Sequence, residues 1–130
     1  MKNPDIKKIT NNLIIEFHVP NFSQVKKFYT KLGFEISMED KLNKRELGYL
    51  TMIRKDELGN TLINFYGGDD RVYNQAYFKQ FNQETKRGYA IEVTIPVNNI
   101  DDLYDKVSLE LKNNIVRELK ELKDHGNSWK

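Results

Sequence analysis

The chain has 130 residues, 38% of them hydrophobic and 12% aromatic, which is enough for one core and one domain over 1–130 and too aromatic for a disordered chain. Twenty-one Lys and Arg stand against 19 Asp and Glu, and the net charge of +2 is too small to recruit nucleic acid by itself. The lack of cysteine excludes a disulfide framework, an iron–sulfur cluster and cysteine-bound zinc. No apolar run reaches the length of a membrane span, and the polar start MKNPDIKKITNN lacks the apolar core of a signal peptide, so the expected location is the cytoplasm.

Residues 1–12 read as a polar arm. In the next stretch Leu13, Ile15, Phe17 and Val19 alternate with Ile14, Glu16 and His18. A period of two predicts a strand with one apolar face and a second face carrying Glu16 and His18. Pro20 and Asn21 break it, because Pro has no N–H for a ladder and Asn is a good helix cap. Phe22, Val25, Phe28, Tyr29 and Leu32 then recur every three or four residues, which predicts a helix over 22–32 that ends at Gly33. Phe34 to Asp40 alternates Phe34, Ile36 and Met38 against Glu35, Ser37 and Glu39, a second strand. Gly48 to Arg54 is a third and Thr61 to Tyr66 a fourth, with KDELGN as the hairpin connection between them. Residues 13–68 therefore form a β-α-β-β-β unit.

Residues 69–87 connect to the second half, and Tyr73, Tyr77, Phe78 and Phe81 predict a short helix there with an aromatic docking stripe. The opening pattern then returns. Ile91, Val93, Ile95 and Val97 alternate with Ala90, Glu92, Thr94 and Pro96; Asn98 and Asn99 take the place of Pro20 and Asn21; Ile100, Leu103, Val107 and Leu111 form a second amphipathic stripe. Ile115 to Leu122 reads as one further strand. The chain is thus an internal repeat, with Val19 on Val97 and Phe22 on Ile100. Two such halves side by side place Glu16 and His18 of the first and Glu92 and Thr94 of the second around one cup.

The stretches VPNFSQVKKFYTKLGF, FYGGD and RGYAIEVTIPVNNIDDLYDKV resemble the vicinal oxygen chelate superfamily, which includes glyoxalase I, bleomycin-resistance proteins and extradiol dioxygenases; the bleomycin-resistance-like group is the nearest in pattern. The resemblance covers residues 13–129. It implies an α+β fold in which two βαβββ modules form a curved mixed-sheet cup with helices outside, the second module (88–130) being incomplete at its C-terminus. Either the chain is cut short there or the missing strands come from another chain. Members of the superfamily usually pair, which implies a homodimer. Its metal enzymes carry a His or Glu five residues before the Val that ends each leading strand. Here those positions hold Ile14, which cannot bind a metal, and Glu92, which can; the position in the fourth strand offers only Asn64. The resemblance therefore implies no metal site of the family type, with Glu92 the one ligand of suitable chemistry.

These observations lead to a metal-independent protein that sequesters an organic small molecule in the cup. Glu16, His18, Asn64, Glu92 and Thr94 are the expected polar contacts, and Tyr49, Tyr66 and Trp129 the stacking walls. His18 also suits a proton-transfer role. The alternative is a divalent-metal-dependent lyase, isomerase or dioxygenase using Glu92, and a third possibility is a pseudo-enzyme that binds a protein through the Tyr73–Phe81 stripe. No phosphate loop or nucleophile elbow is present.

Overall fold

A computed structural model describes residues 13–42, 47–67, 76–82, 84–85, 88 and 90–115. Within them the first half has the expected order: β1 (Ile15–Val19), α1 (Phe22–Lys31), β2 (Glu35–Leu42), β3 (Leu47–Arg54) and β4 (Thr61–Gly67). The four strands form an open mixed sheet in the order β1-β4-β3-β2, with β1 parallel to β4 and the other two pairings antiparallel. With α2 (Ile100–Glu110) this is an α+β fold. No helix among the described residues is long and apolar enough to cross a membrane.

The ends of α1 follow from its sequence. The Asn21 side chain accepts a hydrogen bond from the Gln24 amide at 3.0 Å, satisfying a backbone donor that the first turn leaves without a partner. At the other end the Gly33 amide donates to the Thr30 carbonyl and the Phe34 amide to the Tyr29 carbonyl, both at 3.0 Å. Gly33 has φ +91°, and the Tyr29 and Phe34 rings meet edge to face at 5.4 Å. This is a Schellman stop with its apolar clasp. One face of the sheet, carrying Leu50, Met52, Ile63 and Phe65, packs with Phe34 as the buried core, and Phe22, Val25 and Tyr29 of α1 and Leu32 just after it cover it together with Phe17 and Val19 of β1. Removing such a buried side chain from a core costs about 3–5 kcal/mol for a Phe truncated to Ala.

One irregularity decides what the other face displays. Between Ile36 and Met38 the pairing of β2 with β3 slips, so that Ile36 lies opposite Met52 but Met38 lies opposite Thr51. Strict alternation would keep Ile36 and Met38 on one face. The bulge instead sends Met38 and Asp40 to the face away from α1, whereas Glu39 points to the helix side and pairs with Lys26 at 2.6 Å.

The second half matches its expected pattern only in part. Asn99, which the repeat places on Asn21, caps α2 in the same way: its side chain accepts from the Asp102 amide at 3.1 Å and donates to the Asp102 carboxylate at 2.6 Å. Lys31 of α1 reaches the Glu110 carbonyl of α2 at 3.4 Å. Residues 91–97, expected as a strand, are not in a β-ladder. Ile91 is 68% exposed and Val93 39%, while Ile95 leans on the core and Val97 is buried. The physical reason is the lack of a partner: β1 is held by parallel pairing with β4, and no described residue supplies that pairing for 91–97. The expected connector helix is reduced to one 3-10 turn, Phe78–Gln80, with Tyr77 and Phe81 ring to ring at 5.6 Å; Tyr73 lies outside the described residues. Of the expected strand Ile115 to Leu122 only Ile115 is described, where it closes a second 3-10 turn.

The Asp56 carboxylate ties these parts together. It accepts from Arg54 Nη1 at 2.7 Å, from the Leu58 amide at 2.9 Å, and from the Asn98 amide at 3.0 and 3.1 Å. Arg54 Nε donates in turn to the Leu32 carbonyl at 3.0 Å. One ion pair thereby links the β3–β4 hairpin to the end of α1 and to the residue just before the cap of α2.

Candidate functional site

The sheet face away from α1 is built from two cross-strand rows. In the first, His18 lies opposite Tyr66, Tyr66 opposite Tyr49, and Tyr49 opposite Asp40. In the second, Glu16 lies opposite Asn64, Asn64 opposite Thr51, and Thr51 opposite Met38. Side chains two residues apart on a strand share a face, and directly opposed pairs sit close enough to touch. Five residues expected from the sequence, Glu16, His18, Tyr49, Asn64 and Tyr66, are therefore brought together.

The aromatic rings of the first row form a continuous ladder. The His18 and Tyr66 centroids are 5.1 Å apart and the Tyr66 and Tyr49 centroids 5.0 Å, all tilted rather than stacked flat. Glu16 Oε1 stands 3.1 Å from His18 Nε2, so the ladder has a carboxylate at its β1 end. Burial pushes the pKa of the Tyr49 hydroxyl up, and the neighbouring Glu16 carboxylate and Tyr66 hydroxyl push it in the same direction. Tyr49 is thus held as a neutral phenol, able to donate a hydrogen bond.

The second row fixes an amide. Thr51 is buried, and its hydroxyl donates to Asn64 Oδ1 at 2.9 Å. With its oxygen engaged, Asn64 offers its NH2 group to anything seated on the face. Further toward the hairpin, Ile53 and Leu62 on this face are also buried, whereas the rings and Glu16 keep part of their surface in solvent. The accessible region is the ladder with its carboxylate and amide. A separate cleft between Pro96 and Leu58, Gly59, Asn60 and Thr61 lies at the opposite end of β3 and β4; at about 120 Å³ it is smaller than an organic ligand needs.

Glu92 and Thr94 lie outside the two cross-strand rows, since 91–97 pairs with no strand among the described residues. Both are exposed on the segment without a ladder. Their placement in the cup assumed that 91–97 forms the counterpart of β1. Trp129 lies outside the described residues. Thr51 and Asp40 are members that the sequence analysis did not select. Thr51 had a signal, a hydroxyl inside the apolar run LTMI, but Asp40 had none, because the bulge that turns it to this face leaves no mark in the alternation.

Among the described residues Glu16 and His18 are the two ligating side chains that meet on this face, and no group of three or more His, Asp and Glu side chains comes together. Zinc and similar ions need three or more strong ligands, and harder cations need more. A metal centre of the superfamily pattern would have to draw its remaining donors from outside the described residues. No family model matches the chain, and no match was found among curated proteins or solved structures.

Proposed function

We propose that the chain is a binding protein for a small planar organic cation, which lies on the His18–Tyr66–Tyr49 ladder with its charge toward Glu16. The observation that carries this reading is the ladder itself: three rings spaced about 5 Å apart on an accessible sheet face, with a carboxylate at one end. A cation over a tyrosine face gains about 0.5–2 kcal/mol, depending on how dry the site is. Glu16 adds a charge-assisted hydrogen bond, and the Asn64 NH2 and Tyr49 hydroxyl supply donors for an oxygen on the ligand. Among the described residues no group on the face is set up as a nucleophile with its base, so binding without bond-making is the simplest use of these residues. The alternative is the metal-dependent lyase, isomerase or dioxygenase, which would draw further donors from outside the described residues. A pair of chains related by symmetry, as the superfamily resemblance implies, belongs to the same proposal.

The test is a thermal-shift panel of planar aromatic cations led by benzamidine, with the neutral isostere benzamide beside it. The cations are expected to raise Tm and benzamide to leave it unchanged. Tyr66→Ala is expected to abolish the shift, and Glu16→Gln to weaken the affinity roughly tenfold. Equal response to benzamidine and benzamide, or a shift that survives both substitutions, would overturn the proposal.

A further inference from the structure

We propose that the site takes an elongated ligand with a cationic group at each end, the second one held by Asp40. This rests on the binding role proposed above and extends it along the sheet. The bulge between Ile36 and Met38 places Asp40 on the ladder face, opposite Tyr49. The ring row therefore runs from His18, beside Glu16 on β1, to Asp40 on β2, with a carboxylate at both ends. Crossing from β1 to β2 takes three strand spacings in the order β1-β4-β3-β2, about 14 Å between the two backbone positions. Two anions so far apart cannot share one small cation. Each serves its own charge, and the tyrosines between them suit the flat or apolar body that joins the two charges.

The chemistry of both anchors fits. Glu16 uses one oxygen toward His18, which leaves the other for a ligand. Asp40 is half-buried, and no hydrogen bond or ion pair engages it among the described residues. Once one end is seated, the second binds as an intramolecular step, so affinity rises without a new kind of contact. A monocation would use only half of this face.

The experiment is a calorimetric titration of the full chain with three probes. They are pentamidine, its analogue with one amidine replaced by a carboxamide, and benzamidine. The pentyl linker of pentamidine is long and flexible enough to place one amidinium at each carboxylate. Wild type is expected to bind pentamidine at least about tenfold more tightly than the monoamidine analogue of the same length. Asp40→Asn is expected to erase that preference, and an unchanged Tm of the unliganded variant reports that it is folded. Equal affinity for pentamidine and its analogue in wild type, or a preference that persists in Asp40→Asn, would overturn the two-ended site and leave the binding role intact. Failure of wild type to bind benzamidine would overturn both.

Discussion

The Asp56 carboxylate accepts hydrogen bonds from one side chain and two backbone amides, and together they hold its pKa down, from 3.8 to about 2. The largest cause is the Leu58 amide, followed by the Arg54 guanidinium and the Asn98 amide. Because the folded value lies below the unfolded one, the charged form is the one that folding favours. The contribution of Asp56 to stability is fully present above the unfolded value and is lost as pH falls from about 4 toward 2. Asp56→Asn keeps the shape and removes the charge. Its Tm should fall below that of wild type by a constant margin at neutral and mildly acidic pH, and the margin should close through that acid window. Melting curves taken across the acid range decide this; a margin that stays constant down to the lowest pH would mean that the charge is not what matters. The residue was legible in the sequence only as part of a hairpin, KDELGN. Nothing in the local pattern says that the same carboxylate also binds Asn98, forty-two positions away.

At the scale of elements, the first β-α-β-β-β unit could be read because each boundary has a local chemical cause. Asn21 caps, Gly33 stops, the Asp56–Gly59 turn closes the hairpin with a 3.0 Å hydrogen bond, and the apolar period distinguishes strand from helix. Register could not be read in the same way. A single extra residue in β2 reverses the face of everything after it, and the sequence there, Glu35–Asp40, alternates as smoothly as an unbulged strand. That is why Asp40 was missed while Tyr49 and Tyr66, on strands that pair without a slip, were found. The stop at Gly33 can be tested directly. A Cβ there would meet Arg54 Nε at 3.2 Å, and φ +91° is a conformation that side chains other than glycine rarely accept. Gly33→Ala should lose about 1–2 kcal/mol in urea denaturation with little change in m value. A loss of a few tenths would mean that the Schellman geometry relaxes without cost. Arg54 is the neighbour that must give way, so the damage should also reach the Arg54–Asp56 pair and be less than additive with Asp56→Asn.

For the whole molecule the question is how far the repeat extends. The two halves share the helix-capping chemistry, Asn21 and Asn99 at matching positions, and the C-terminal ends of the two helices meet where Lys31 reaches the Glu110 carbonyl. They differ in the strand that leads into each helix. β1 is fixed by β4, while 91–97 follows the same apolar alternation with exposed Ile91 and Val93. A sequence period describes which face a residue would take if a ladder formed; it does not supply the ladder. This is why Glu92 and Thr94, chosen by symmetry, have no place in the cross-strand rows, and why the cup expected from two modules is represented among the described residues by one open sheet. Amide hydrogen exchange measures the difference. β3 and β4 are each paired on both sides and carry Leu50, Met52, Ile63 and Phe65, so their amides should exchange only through global unfolding. Amides of residues 92–95 should exchange at least about a thousandfold faster, since a native domain of ordinary stability protects its core by that much or more. Protection of 92–95 within about tenfold of β3 would mean that a ladder partner reaches this segment in solution. Dilution then separates the two sources of such a partner: protection that falls with protein concentration comes from a second copy, and protection that does not comes from the same chain.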